Sequence, residues 1–178
     1  MKLSILLILF FVIMPKIGFC QDSLCQHATD GNEKAKQVKI TLSLPCDWIS
    51  VDSKSPNQIF KFLKQEVNKI SSVSLSIGNL PVGLNSSEEK DMLKLDGLKR
   101  LSDESGEIVS SKSLSINKVN GGQIIRKDAV HKFYKLYNYF IYKGKLITIA
   151  YFVILKSDDN VSDYFSSFDS LLAKTTFR

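Results

Sequence analysis

The sequence contains little of the chemistry from which most catalytic sites are built. Its 178 residues include two histidines, three cysteines and one tryptophan. It has no His-Glu-x-x-His, no Gly-x-Ser-x-Gly and no glycine-rich phosphate loop, which argues against the enzyme classes that depend on these motifs. Neither His27 nor His131 is accompanied by the nucleophile and orienting group with which a general base would act. We therefore predict no catalytic residues and no cofactor.

Metal ligands are equally scarce. Cys25, Cys46 and His27 would supply two thiolates and one imidazole, fewer than the usual four ligands of a structural zinc site. The stretch Asp158-Asp159-Asn160 lacks the further oxygens of a calcium loop and is typical of a turn and helix cap. No metal site is predicted.

A large excess of one charge is also absent. The sequence has 24 basic and 18 acidic side chains, a formal net charge of +6. So mild an excess is typical of an ordinary solvated surface. We predict no nucleic-acid partner.

The longest apolar run lies at the N-terminus. Residues 5–14 are all Ile, Leu, Phe, Val or Met, a length that suits a signal peptide and falls short of the about 20 residues that span a bilayer. Pro15 interrupts this run, and Gly18 and Cys20 place small residues three positions and one position before a cleavage point. We predict that residues 1–20 are a signal peptide, and that the protein is exported and is either secreted or periplasmic.

Cys20 allows an alternative. The stretch Ile17-Gly18-Phe19-Cys20 is similar to a lipobox, in which Cys20 would be lipidated and would anchor the protein to the membrane. Phe19 is bulky where such boxes carry a small residue, so cleavage and release are the preferred interpretation. A membrane contact is expected only if Cys20 is lipidated.

Removal of residues 1–20 leaves 158 residues, a usual size for one domain with its own core. Residues 21–36 are polar and have no helical or strand periodicity, so we predict a polar N-terminal arm without regular structure and a single domain over residues 37–178. Cys25 and Cys46 remain as an even pair, and their pairing as a disulfide is expected in an oxidising compartment. The bond would hold the arm against the first strand.

Alternating apolar residues predict strands along the domain. Residues 38–44 have the period of two that is typical of a strand with one buried face. Further short strands are predicted at 59–63, 72–77 and 113–117. Asn120-Gly121 predicts a hairpin turn, because these residue types accept the positive φ angles of such turns.

Two segments have helical spacing. Residues 86–102 carry Met and Leu at every third position behind a capping box of Ser86 and Glu89, which predicts one amphipathic helix. Residues 160–172 predict a closing helix. Its apolar stripe comprises Val161, Tyr164, Phe165, Phe168, Leu171 and Leu172.

The longest β segment is a hairpin of residues 133–142 and 145–155 around Lys143-Gly144. Both of its faces are largely apolar, which predicts a position in the middle of a sheet with helices on each side. The fold class is therefore predicted to be α+β, with a central antiparallel sheet of about five to seven strands flanked by helices on both faces.

Several motifs resemble the PsbP-like α/β/α sandwich family. Leu42-Ser43-Leu44-Pro45 leading into Trp48 is similar to the family's opening strand and tryptophan turn, and Asn120-Gly121-Gly122 to its glycine turn. The hairpin around Lys143-Gly144 and the final helix with Phe165 and Phe168 resemble its C-terminal half. The family includes the PsbP protein of the photosynthetic oxygen-evolving complex, nuclear Ran-binding relatives and DcrB-type bacterial envelope lipoproteins. The resemblance implies an α/β/α sandwich and, by analogy, an accessory or binding domain.

We expect an exported, non-catalytic accessory or binding protein with a protein or envelope component as its partner. The alternatives are an exported enzyme of unrecognised type and a membrane-anchored lipoprotein with a structural role. A weak candidate for partner contact is the hairpin face with Lys135, Tyr137 and Tyr139, because tyrosine gives contact area and tolerates partial wetting. The competing interpretation is that a helix covers these residues.

Overall fold

The computed structural model describes residues 23–53, 55–102, 106–128, 130, 133–155 and 161–178. The predicted signal peptide with Cys20, the residue His131 and the stretch 158–160 lie outside the described residues.

Within these residues the chain forms ten strands and three helices. The strands are β1 Leu24–Ala28, β2 Ile40–Pro45, β3 Ile49–Ser50, β4 Gln58–Gln65, β5 Lys69–Asn79, β6 Glu107–Ile116, β7 Val119–Asp128, β8 Phe133–Tyr142, β9 Lys145–Leu155 and β10 Thr176–Phe177. The helices are α1 Ser86–Met92, α2 Leu95–Leu101 and α3 Val161–Leu172.

The strands form two antiparallel sheets. The large sheet has seven strands in the order β3-β4-β5-β9-β8-β7-β6, and a small sheet has the order β1-β2-β10. The predicted α+β class with a central antiparallel sheet is confirmed. The small sheet was not predicted.

The hairpin of β8 and β9 lies at the centre of the large sheet, as predicted. Tyr142 pairs with Lys145 and Phe140 with Ile147, so the predicted register is confirmed. The register is fixed by the two-residue loop, in which Lys143 and Gly144 have φ angles of 50° and 67°.

Side-chain alternation gives the hairpin two different faces. We call the side with Leu136 and Phe140 the core face, and both side chains are fully buried there. Helix α3 packs on it through Phe168, whose ring stacks on that of Tyr151 at 4.6 Å, and the small sheet packs on it through residues that include Leu42. We call the opposite side, which carries Phe133, Lys135, Tyr137, Tyr139 and Phe152, the Lys135 face.

The prediction of an arm without regular structure is wrong. Residues 24–28 form β1, which pairs with β2 along its whole length, and Cys25 is joined to Cys46 by a disulfide. The hydroxyl group of Thr29 continues the attachment by donating to the carbonyl of Val38 at 2.7 Å. Strand β1 lies at an edge and keeps much of its surface in solvent. It therefore needs no alternating apolar residues, and its sequence shows none.

The single helix predicted for residues 86–102 is two helices, α1 and α2. The capping box is formed by Asn85 and Glu88, one residue earlier than predicted. The main-chain nitrogen of Asn85 donates to the carboxylate of Glu88 at 2.7 Å. The corner between the helices depends on Gly97, because a Cβ atom there would collide with the backbone of Met92.

The predicted turn at Asn120-Gly121 is also wrong. The turn is formed by Asn117 and Lys118, with φ angles of 49° and 66°, and Asn120-Gly121 lies inside β7. Gly121 is required for packing, since a Cβ atom there would lie 2.5 Å from the ring of Phe140.

Candidate functional site

The Lys135 face is divided into a covered half and an open half. Helix α2 and the preceding Leu93 cover the part above β7 and β8, where Leu98 packs against Ile124 and Tyr139. The packing is close at Gly122, because a Cβ atom there would lie 2.6 Å from the carbonyl oxygen of Leu93. We call this region the covered half.

Tyr139 belongs to the covered half. Its side chain is 3% exposed, and its hydroxyl group donates to the main-chain oxygen of Leu101 at 2.9 Å. Nearby, Arg126 donates to the hydroxyl of Ser102 at 2.9 Å and to the carbonyl of Gly106 at 3.0 Å, which fixes the end of α2. A helix therefore covers Tyr139, as the competing interpretation expected, whereas Tyr137 and Lys135 are half-buried.

The open half contains a groove of about 430 Å³. Its floor is formed by Ser72 and Ser74 of β5, and its sides by Lys61 of β4 and by Phe133 and Phe152 of the hairpin. The groove exists because small serines pair with larger neighbours on both sides: Ser72 lies opposite Phe152 in β9, and Ser74 lies opposite Lys61 in β4. We call this depression the open groove.

A row of aromatic rings connects the open groove to the covered half. The ring of Phe133 stacks on that of Phe152 at 5.8 Å, Phe152 meets Tyr137 at 5.7 Å, and Tyr137 stacks on Tyr139 at 5.9 Å. At the outer end Ile154 is 41% exposed. The open half thus presents apolar surface on a rigid sheet.

The strands that line the open groove carry basic groups on this face, whereas Asp128 of the neighbouring β7 lies opposite Phe133. On this face, β4, β5, β8 and β9 carry Lys61 and Lys135, and none of their described residues places a carboxylate there. The ammonium group of Lys135 lies 5.4 Å from the centre of the Phe133 ring. The surface is therefore suited to a partner that combines apolar side chains with acidic ones.

A second depression, of about 300 Å³, lies beside Trp48 and Tyr164 at the margin of the core face. Four charged groups here neutralise one another: Lys64 lies 2.8 Å from Asp47 and 3.1 Å from Glu66, and Lys69 lies 3.0 Å from Glu66. Asp163 also lines the depression. Such a network is typical of a structural connection, here between the tryptophan turn and the β4–β5 hairpin.

The pKa values in this network follow from its contacts. The hydrogen bond with Asp47 raises the pKa of Lys64 against the opposing effect of burial. Burial alone would raise the pKa of Glu66, but hydrogen bonds from Lys69 and Lys64 outweigh it and lower that pKa. Burial raises the pKa of Tyr151, whose hydroxyl lies 3.3 Å from that of Ser71. The shifts of Lys64 and Glu66 both favour the charged forms, so they stabilise the network itself.

His27 is the candidate general base within the described residues, and these residues form no catalytic arrangement around it. His27 lies in β1 with its ring 4.3 Å from that of Phe62, and burial lowers its pKa. In the described part of the chain, no three His, Cys, Asp or Glu side chains are placed to hold a metal ion. Among the same residues, no helix is both long and apolar enough to cross a membrane.

Sequence reasoning missed the open groove because it depends on strand register. The alternating serines of residues 71–76 were visible, but only their pairing with Lys61 and Phe152 shows that they form a floor between larger side chains. The partner-binding roles of Lys135, Tyr137 and Tyr139 stay predictions. Since Tyr139 is packed beneath α2, direct contact is expected from the other two residues.

No protein-family model and no curated protein matches this sequence. The fold is nevertheless shared with solved structures. Cyanobacterial PsbP (CyanoP) from Synechocystis sp. PCC 6803 superposes with a TM-score of 0.56 at 17% identity, covering 90% of this chain and 96% of that chain. The Ran-binding protein Mog1p from Saccharomyces cerevisiae gives a TM-score of 0.53 at 10% identity, covering 86% of this chain and 96% of that one.

A third similar structure is a protein of unknown function from Pseudomonas aeruginosa. Its TM-score is 0.50 at 8% identity, and the match covers 87% of this chain and 97% of that chain. This chain therefore has the PsbP/Mog1-like fold, and the family resemblance drawn from the motifs is confirmed at the level of fold.

Proposed function

We propose that the protein is an exported, non-catalytic binding domain that holds a protein partner in the open groove. The observation that carries this proposal is the contrast within one sheet: the core face is covered, whereas the open half leaves Phe133, Phe152 and Ile154 partly in solvent beside two lysines. In the proposed α/β/α arrangement, α1 and α2 lie on one face and α3 on the other. The contacts of Leu98 with Tyr139 and of Phe168 with Tyr151 support it.

A binding role is favoured by the composition of the open groove. Aromatic residues are enriched at protein interfaces, and a contiguous exposed apolar patch marks such a site more often than scattered apolar residues do. Lys61 and Lys135 would then select partners with acidic side chains at the rim and speed their association. One structural neighbour is named as a Ran-binding protein, but at its low identity the likeness concerns the fold, so the argument depends on the groove.

Export is supported by two features of the chain. Disulfides such as Cys25–Cys46 persist in oxidising compartments, and residues 5–14 have the length and composition of a signal-peptide core. Intact mass spectrometry of the protein from its own host tests this part. We expect a mature N-terminus at Gln21 and no free thiol; a mass that retains residues 1–20, or a lipid on Cys20, would contradict release by cleavage.

Site-specific photo-crosslinking in the native host tests the binding proposal. A photoreactive phenylalanine analogue at Phe152 is expected to give a discrete crosslinked species containing a second protein. The control is the same analogue at Val109, which is 52% exposed on the edge strand β6. Absence of a species at Phe152, or the same species from both positions, would count against the open groove as the binding site.

A further inference from the structure

A separate group of lysines lies at the other end of β9. Lys36, Lys143 and Lys145 line a depression of about 520 Å³. The open groove contacts β9 near residues 152–154, whereas this depression lies where β9 begins, next to the β8–β9 turn. We call it the lysine site, and the case for it does not depend on the function proposed for the open groove.

The lysine site places positive charges together, and among the described residues no Asp or Glu forms a salt bridge with them. The ammonium groups of Lys36 and Lys145 donate to the same side-chain oxygen of Asn79, at 3.4 and 3.1 Å, and Lys36 also donates to the side-chain oxygen of Asn57 at 3.3 Å. Lys143 donates to the main-chain oxygen of Arg178 at 3.0 Å. The acceptors of Lys36 and Lys145 are therefore neutral side-chain amides.

Six described lysines lie in salt bridges, and the three of the lysine site are among those that do not. Lys39, Lys64, Lys69, Lys94, Lys99 and Lys112 each lie within 4 Å of a carboxylate. Among the described residues, no salt bridge is formed by Lys36, Lys143 or Lys145. Two like charges around one uncharged oxygen repel each other, and an anion between them would remove that repulsion.

The backbone gives independent support. Lys36, Gln37 and Lys143 have φ angles of 52°, 69° and 50°, a region that favours Gly and Asn. Lys36 follows the short 3-10 helix Glu33–Ala35, and Lys143 lies in the two-residue β8–β9 turn. Gly or Asn would fit both positions with less strain, so the fold holds two of the three charges where its own stability favours other residues.

We propose that Lys36, Lys143 and Lys145 form a binding site for a phosphate-bearing anion, which is either a free phosphate group or the headgroup of an anionic lipid. Each ammonium group has three donors, and a phosphate group offers several strong acceptor oxygens that can bridge them. The exposed end of the sheet gives both kinds of ligand access, since Lys143 and the neighbouring Gly144 are exposed.

The turn positions allow variants that separate binding from folding. Lys36→Asn and Lys143→Asn remove one charge each while introducing a residue that suits the positive φ angle, so the melting temperature is expected to stay the same or to rise. Lys145→Gln removes the third charge. The matched control is Lys99→Gln, which causes the same loss of charge on α2, where Lys99 is paired with Asp96.

Two binding experiments, a titration and a vesicle flotation assay, identify the source of the anion. Inorganic phosphate is titrated into the protein with NMR detection at low salt, and flotation measures binding to vesicles of phosphatidylcholine with and without phosphatidylglycerol. We expect each site variant to weaken binding by about fivefold to tenfold, the loss expected when one of three converging charges is removed, and Lys99→Gln to leave it within about twofold.

Each outcome decides the proposal. Binding of phosphate alone identifies a soluble ligand, binding of anionic vesicles alone identifies a lipid headgroup, and binding of both supports the shared phosphate chemistry, provided that the site variants reduce it selectively. Failure to bind either probe overturns the proposal, as does equal weakening by Lys99→Gln.

Discussion

The two faces of the central hairpin differ in what covers them. On the core face, the twelve-residue helix α3 and the small sheet enclose side chains such as Leu136 and Phe140. On the Lys135 face the buried helical residues belong to α2, which has seven residues, whereas the equally short α1 buries none. A seven-residue helix is about 10 Å long, and neighbouring strands are about 4.8 Å apart, so such helices cover only two or three strands. The remaining strands form the open half, and this difference explains why one sheet provides both a core and a candidate binding surface.

Phe140→Ala should have the largest effect, since it removes a fully buried ring from the core face. We expect a loss of about 3–5 kcal/mol in the free energy of unfolding, from the lost burial and the cavity that remains. Urea denaturation monitored by circular dichroism measures it. A loss below about 1 kcal/mol would show that the core face is less tightly packed than its contacts indicate.

Replacement of both Cys25 and Cys46 by serine tests the small-sheet cover of the core face. The bond closes a segment with a sequence separation of 21 residues, and its loss should lower stability by about 3 kcal/mol in the chain-entropy account. Thermal unfolding of the variant is compared with that of the parent protein under oxidising conditions. An unchanged melting temperature would mean that β1 adds no constraint to the fold.

Gly122→Ala tests the covered half. The new methyl group would lie 2.6 Å from the carbonyl oxygen of Leu93 and 2.8 Å from the side chain of Leu98, so α2 must shift, at a cost of about 1–3 kcal/mol. Gly78→Ala is the matched control, because its methyl group meets nothing closer than 3.8 Å. Equal stabilities of the two variants would show that α2 is not seated against β7.

Phe152→Ala should have the smallest effect on stability. Its ring is half-buried and contacts Phe133 and Tyr137, so we expect a loss of about 1 kcal/mol. Replacement of Phe by Ala is therefore expected to lower the free energy of unfolding several times more at Phe140 than at Phe152. Chemical denaturation of the two variants side by side gives this ratio, and similar losses would remove the distinction between the two faces.

The elements that could be predicted from the sequence are those with a strong apolar period. The β8–β9 hairpin and α3 both bury one side of an alternating or helical pattern, and their positions were predicted closely. The helix over residues 86–102 was predicted as one element because the corner at residues 93–94 does not interrupt the spacing of Met92, Leu95 and Leu98. The cap was predicted one residue too late because Asn85 with Glu88 and Ser86 with Glu89 both satisfy the capping pattern.

The remaining features depend on contacts between distant residues. Strand β1 lies at an edge and has no apolar pattern, and the turn near Asn120 is displaced because Gly121 must lie beneath Phe140. The open groove requires the register of β5 with its neighbours. The lysine site brings Lys36 together with Lys143 and Lys145, which lie more than a hundred positions further along the chain.

The most direct test of the account is hydroxyl-radical footprinting of the purified protein and of the protein in its native host, with mass spectrometry to locate oxidised residues. We predict that Phe133 and Phe152 are oxidised in the purified protein and protected in the host, whereas Phe140 is unreactive in both. Equal oxidation of Phe152 in the two states would contradict the claim that the open half of the Lys135 face holds a partner.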